Sequence, residues 1–249
     1  MSENVKPDVK PDVKPGATPD VVADAPREPK LAAGLRLFFG VNLALDSAQR
    51  IADATDRLQK LAGSRVRAAW VPAANLHVTL RFLGWTREEA VPALRDAARE
   101  GLRGRKAFTI TTRGLGAFPS LLAPKVLWVG VQDPSGGLAR LARDLESWMR
   151  RLGYPAENRP FHPHVTIARV KEGRVDEGQS GIKDADFGTS LIREAILYES
   201  TVTPIGSEYR ALARIPLDAP PYRAERQTRE VLEGIHSEEP GNHGGSKSA

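Results

Sequence analysis

One short strand pattern occurs twice in this chain, first as His77-Val78-Thr79-Leu80-Arg81-Phe82-Leu83-Gly84 and again as His164-Val165-Thr166-Ile167-Ala168-Arg169. In both copies a histidine precedes a threonine by two positions. Residues i and i+2 of an extended strand point to the same face. Each copy therefore turns an imidazole and a hydroxyl to one side, while Val78 and Leu80, or Val165 and Ile167, turn to the other. Such a strand needs a core against one face and open space on the other. Two of them brought together make a site of two imidazoles and two hydroxyls, a set suited to acid–base chemistry on a phosphate. Strand alternation also puts Arg81 on the face of His77. Arg169 has odd parity relative to His164, and reaches the site only if the strand ends or bulges near Ala168.

The rest of the chain divides into a centre and two tails. Residues 1–33 contain a Val-Lys-Pro-Asp repeat, scattered Pro and Ala, and no aromatic residue. A segment of that kind cannot bury enough apolar surface to offset its ordering entropy and is expected to be disordered. Residues 216–249 are mostly of the same character, with one short helix expected over 222–235. Between them, residues 34–215 are enough for a single domain with a real core. This centre carries 27 basic and 19 acidic residues, a net of +8 against −3 for the two tails together. A basic domain suits an anionic ligand, nucleic acid being the commonest.

The chain contains no cysteine, which excludes disulfides, thiolate metal sites and a cysteine nucleophile. No apolar leader and no run long enough to span a bilayer occurs, so a cytoplasmic protein away from the membrane is expected. Apolar spacing predicts a strand over 35–45, then a helix capped by Asp46 or Ser47 and ending at Gly63. Short strands follow over 66–71 and 76–82, with Gly84 as a sharp exit. A helix capped by Thr86 then runs to Gly101. Strands are expected over 108–112 and 126–131 with a loop at 114–124 between them, and a helix over 138–152. The second motif strand covers 164–170, residues 171–186 form a loop, and strands over 191–200 and 208–215 close the domain. Helices between strand pairs make this an α+β fold.

Other residues invite a functional reading. His162 and His164 form a His-x-His pair of the kind that binds metal, but no carboxylate lies in the strand, and no metal is expected. Phe38, Phe39, Phe82, Phe118, Phe161 and Trp128 are candidates to stack on bases. Most of these must serve the core. Phe39, next to Gly40, and Phe161, just before the second motif, are the ones expected at the surface as substrate contacts.

The two motifs with their flanks resemble the paired signatures of the 2H phosphoesterases. They are most similar to those of the RNA 2′,3′-cyclic phosphodiesterases, also called the 2′-5′ RNA ligase family. Arg36 to Val41 resembles that family's opening strand, Gly114 to Val131 its middle segment, and Leu197 to Ser200 with Gly206 and Tyr209 its final hairpin. The resemblance covers about residues 34–215. It implies a bilobal fold of two pseudo-symmetric lobes, with antiparallel sheets facing a central cleft and helices outside. It also implies hydrolysis of an RNA 2′,3′-cyclic phosphate end to a 2′-phosphomonoester by a monomer needing neither metal nor cofactor. Carried over by motif position, His77 is the proton donor and His164 the proton acceptor, Thr79 and Thr166 hold the phosphate, and Arg169 contacts phosphate or substrate. Two alternatives stay open. One is 2′-5′ ligation of cyclic-phosphate and 5′-hydroxyl ends by the same site; the other is a non-catalytic RNA-binding module.

Overall fold

The computed structural model describes residues 34–174, 182–203 and 206–219. Residues 1–33 and the helix expected over 222–235 lie outside them. The described strands are β1 (Leu35–Asn42), β2 (Arg67–Trp70), β3 (His77–Thr86), β4 (Phe108–Phe118), β5 (Val126–Gln132), β6 (His164–Glu172), β7 (Asp186–Ile192), β8 (Glu194–Thr203) and β9 (Gly206–Pro216). Three α-helices accompany them: α1 (Leu45–Ala62), α2 (Val91–Gly101) and α3 (Gly137–Arg151). The class is α+β, as expected.

The strands form one antiparallel sheet in the order β7-β4-β5-β6-β3-β1-β8-β9, with β2 added beside β6. That order divides evenly about the β6–β3 seam, four strands to a side. One half is β3-β1-β8-β9 and the other β6-β5-β4-β7, so each motif strand is the innermost strand of its half. The seam itself is narrow: Val78 and Val165 form its one registered pair. Beyond Val165, β6 leaves β3 and pairs instead with β2 through Ala68, Ala69 and Trp70. The two halves thus splay apart, and a cleft opens between them.

The main core lies between the sheet and the helices. On α1, Ile51, Ala54 and Leu58 recur at helical spacing and are buried; each large apolar side chain so placed contributes about 1.5–3 kcal/mol. Leu61, part of the same apolar spacing, is exposed. Although α1 leaves β1 in one half, it packs on β7 in the other, where Ser47 Oγ donates to the Thr189 carbonyl. Ser47 is therefore not a cap, and no side chain caps α1 at its start. In the same way α3 leaves β5 and packs on β3 and α2. This exchange of helices holds the halves together where the strand seam cannot.

Several boundaries differ from expectation for physical reasons. β3 does not leave the sheet at Gly84 but runs on to Thr86, with the positive φ of Gly84 (72°) absorbing an extra residue opposite Leu37 and Phe38. Thr86 is consequently strand, and α2 is preceded by a 3₁₀ turn at Glu88–Ala90. The glycine-rich stretch expected as a loop continues β4 as far as Phe118, because Gly114 bulges and the ladder to β5 resumes at Leu115. The strand expected at 191–200 is two strands, β7 and β8, which turn over at Arg193 and pair with different neighbours. Past β9, Leu217 is buried and Asp218 pairs with Lys106 at 2.9 Å, so the domain extends a few residues beyond 215.

Candidate active site

His77 opens β3 and His164 opens β6, so the single registered pair between those strands sets the two His-x-Thr segments side by side. The two imidazoles are held by the same device. His77 Nδ1 lies 2.7 Å from the Asn75 carbonyl oxygen, and His164 Nδ1 lies 2.7 Å from the carbonyl oxygen of His162. A carbonyl oxygen can only accept, so in each ring Nδ1 carries the proton and donates it. Nε2 is then the atom available for proton transfer in both. At His77 it lies 3.1 Å from Thr79 Oγ1, a hydroxyl able to donate to it.

Burial is the main influence on both rings and disfavours their charged forms. It pulls His77 down to about 4 against the opposing carbonyl bond from Asn75, with the nearby charges of His164 and Arg169 adding to the fall. His164 is lowered for the same leading reason, with His162 and Arg169 contributing. Both imidazoles are neutral near pH 7 in the unliganded protein.

Arg169 therefore stands close enough for its charge to reach both histidines, and Arg81 does not share that role. The cause is a pair of bulges. Phe39 faces Arg81 on the β1–β3 ladder, yet the next residue, Gly40, faces Thr79, leaving Leu80 as an extra residue. On the β5–β6 ladder Leu127 faces Ala168 while Trp128 faces Thr166, leaving Ile167 extra. Each bulge reverses the parity of everything after it. Arg81 is thereby turned into the core side, where its Nε meets Glu146 of α3 at 2.5 Å and its other nitrogens donate to the carbonyls of Phe82 and Pro155. The expectation that Arg81 stands on the face of His77 is corrected: it ties β3 to α3 and to the chain after it, and from there it lines the cavity beside His164. The equivalent bulge in β6 swings the exposed Arg169 to the site side.

The same reversal corrects Phe39. It lies opposite Arg81, is fully buried in the main core, and touches no ligand space. Phe38 takes the place expected of it, 4.9 Å from the His77 ring between centroids. Phe38, Ile196 and Tyr198, with Phe82 and Tyr209, form a second apolar cluster on the site side of the sheet. Tyr209 meets His77 edge-on at 5.1 Å, and Tyr198 donates to Asn42 Oδ1 at 2.7 Å. Burial pushes both phenols up.

Around His164 the corresponding group is Phe118, Trp128 and the His162 ring, with Phe118 5.3 Å from His164. Trp128 lies flat against Gly116, where any Cβ would fall 2.1 Å from the indole. Tyr198, Tyr209 and the His162 ring were noted in the sequence but not assigned this place around the histidines. The pairing of β8 and β9 beside β1 brings the two tyrosines in, and no local pattern announces that.

A cavity of about 320 Å³ opens beside His164 and Thr79, between the flank of α3 and the 155–162 connection. Phe161 lines this cavity, together with Phe82, Phe118 and His162. Glu157 and Arg159 stand at its polar side. Burial works against ionisation of Glu157, but Arg159 outweighs it and pulls the carboxyl below its usual range. Among the described residues no group of three or more His, Asp and Glu is arranged to hold a metal ion, and the carbonyl of His162 already occupies Nδ1 of His164. Among them, too, no helix is long and apolar enough to cross a membrane.

Comparison with known proteins places this geometry. Residues 46–187 match the family model described as the 2′-5′ RNA ligase superfamily. The chain is 36% identical to the RNA 2′,3′-cyclic phosphodiesterase of Escherichia coli over 72% of its own length and 94% of that protein. It is 32% identical to the enzyme of that name from Thermotoga maritima, over 68% of this chain and 91% of the other. Among solved structures, Escherichia coli LigT complexed with 3′-AMP superposes with a TM-score of 0.61 at 32% identity, covering 74% of this chain and 98% of LigT. The paired His-x-Thr strands at the centre of the sheet and these matches agree, and the chain belongs to the 2′-5′ RNA ligase superfamily.

Proposed function

We propose that the protein hydrolyses RNA 2′,3′-cyclic phosphate ends to 2′-phosphomonoesters, with His164 as base and His77 as acid. The observation that carries this reading is the paired backbone tether, which leaves two imidazoles of fixed tautomer with Nε2 available in one cleft. In the reaction, neutral His164 takes a proton from water at Nε2 as the water oxygen attacks phosphorus. The P–O3′ bond breaks, and protonated His77 gives its Nε2 proton to the departing 3′ oxygen. The product carries a 2′-phosphate and a free 3′-hydroxyl, and the proton returns from His164 to His77 through solvent.

Binding supplies the charge state this requires. Burial and the neighbouring cations keep His77 neutral in the empty site. An incoming phosphodiester anion opposes both effects and favours the imidazolium. Arg169, with Thr79 and Thr166, then faces the negative charge that grows on the nonbridging oxygens. The relatives' shared name and the basic balance of the central domain support RNA as the ligand. The scheme uses no metal.

A product-resolved assay on an oligoribonucleotide ending in a 2′,3′-cyclic phosphate tests this. With EDTA present, the 2′-phosphate end is expected alone; a 3′-phosphate product, or loss of activity on chelation, contradicts the scheme. The superfamily's description raises ligation as a second reading. An RNA 5′-hydroxyl in place of water at His164 makes a 2′-5′ bond by the same displacement, with P–O3′ breaking and the 3′ oxygen again taking its proton from His77. Adding a 5′-hydroxyl RNA to the assay separates the two, because water wins unless the second strand is held at high effective molarity.

A further inference from the structure

The cavity beside His164 is walled by aromatic rings and carries charged groups at one side. Its volume of about 320 Å³ is at the small end of ligand pockets. Aromatic rings wall it: Phe82, Phe118, Phe161 and His162, with Phe118 and His162 meeting edge-on at 5.6 Å. Arg81 and Glu146 line it as well, paired in charge at 2.5 Å but out of hydrogen-bond alignment through Nε and Oε2, and Glu146 accepts at Oε1 from the Glu157 backbone N–H at 3.1 Å. That bond fixes the start of the segment carrying Glu157 and Arg159. Those two side chains form a fork, with Arg159 Nε 3.1 Å and Nη2 3.2 Å from the two Glu157 oxygens. A carboxylate accepts about four hydrogen bonds, so Glu157 keeps acceptor capacity while paired.

We propose that this cavity receives the base of the terminal nucleotide and that Glu157 and Arg159 make it select guanine. The inference rests on the proposed reaction at His77 and His164, since the cavity opens at Thr79 and His164, where the cyclic phosphate is held. Guanine alone among the four bases sets an acceptor pair, O6 and N7, next to a donor pair, N1–H and N2–H₂. A guanidinium donates to the first pair, and a carboxylate accepts from the second. Adenine presents an amino donor where guanine has O6, which places a donor against Arg159. Uracil and cytosine lack the imidazole ring that fills the space between the aromatic walls.

The test is kcat/KM for the 2′,3′-cyclic monophosphates of guanosine, adenosine, cytidine and uridine, with calorimetric binding of guanosine and uridine 2′-monophosphates alongside. Guanosine is expected to lead by about ten-fold or more. Glu157→Gln is expected to lower the guanosine value about ten-fold further than the uridine value. If that variant does not fold, Arg159→Lys, which loses the fork but keeps the charge, carries the same comparison. Turnover of all four within two-fold of one another, or equal losses for guanosine and uridine, overturns the assignment. Guanosine-selective binding with no turnover of any substrate supports the cavity and sinks the hydrolytic reading instead.

Discussion

The two halves of the sheet dress the same backbone with different side chains. Each begins its inner strand with a histidine tied at Nδ1 to the carbonyl two residues earlier, and each bulges one residue after its threonine. The side chains set by those bulges then diverge. In the β3 half the first residue past the bulge is Arg81, locked to Glu146, and the next is Phe82, in the apolar cluster beside His77. In the β6 half the same places hold buried Ala168 and exposed Arg169. A further difference lies opposite the threonines, where β1 presents Gly40 and β5 presents Trp128. A methyl on Gly40 would fall 3.0 Å from the Val78 oxygen and 3.3 Å from the His77 ring. One half thus closes around its histidine, and the other supplies an exposed cation and the large indole. The backbone frame repeats, and the side chains after the bulge distinguish the half proposed to hold the acid from the half proposed to hold the base.

The largest way to break this comparison is to remove either imidazole. His77→Ala and His164→Ala are each expected to lower kcat by roughly 10²–10⁴-fold, measured on a cyclic-phosphate RNA end. Next comes the contrast between the two arginines. Arg169→Ala is expected to lower kcat/KM about 10²-fold while leaving urea stability within about 0.5 kcal/mol. Arg81→Ala strands Glu146 beside the core and is expected to cost about 3 kcal/mol of stability in the same titration. Arg169→Ala should also move the pH profile of kcat/KM upward, because its charge now lowers both histidines. If Arg81→Ala unfolds no more readily than Arg169→Ala, the two positions are not divided as described.

A smaller effect sharpens the difference opposite the threonines. Gly116→Ala puts a methyl into the Trp128 indole, so it should displace the ring and change its fluorescence, with a loss of activity smaller than that of Arg169→Ala. Gentler still is the pH dependence of folding. His77 titrates at about 4 in the folded chain and near 6.5 when unfolded. Between those values the unfolded state binds more protons, so stability falls as pH drops from about 6.5 toward 4. Urea midpoints at several pH values, compared with His77→Gln, should show a flatter dependence in the variant.

Much of this was legible in the sequence. The two His-x-Thr strands, the α+β class and the three helices follow from period and motif alone. Alternation assigned His77, Thr79, His164 and Thr166 to one face each because no bulge intervenes within those three-residue spans. It failed at the fourth residue, where the extra Leu80 turned Arg81 and the extra Ile167 turned Arg169. No glycine or proline marks either bulge; each arises from the ladder with a strand distant in sequence. Phe38 and Phe39 were confused for the same reason, since which of two adjacent phenylalanines meets the cleft depends on register with β3. The split of β7 from β8 at Arg193 was hidden because Leu191 and Ile192 on one side and Ala195, Ile196 and Leu197 on the other are apolar, and only one residue separates the strands.

The division into an acid half and a base half is tested most directly by changing the leaving group. A 4-nitrophenolate departs without needing a proton, whereas a ribose 3′ oxygen needs one. The measurement is kcat/KM of wild type, His77→Ala and His164→Ala on a cyclic-phosphate RNA end and on thymidine 3′-(4-nitrophenyl phosphate). The defect of His77→Ala is expected to shrink at least ten-fold on the aryl ester, in line with removal of a general acid's contribution, and the defect of His164→Ala is expected to persist. Equal defects for the two variants on both substrates would contradict the assignment of His77 as acid and His164 as base.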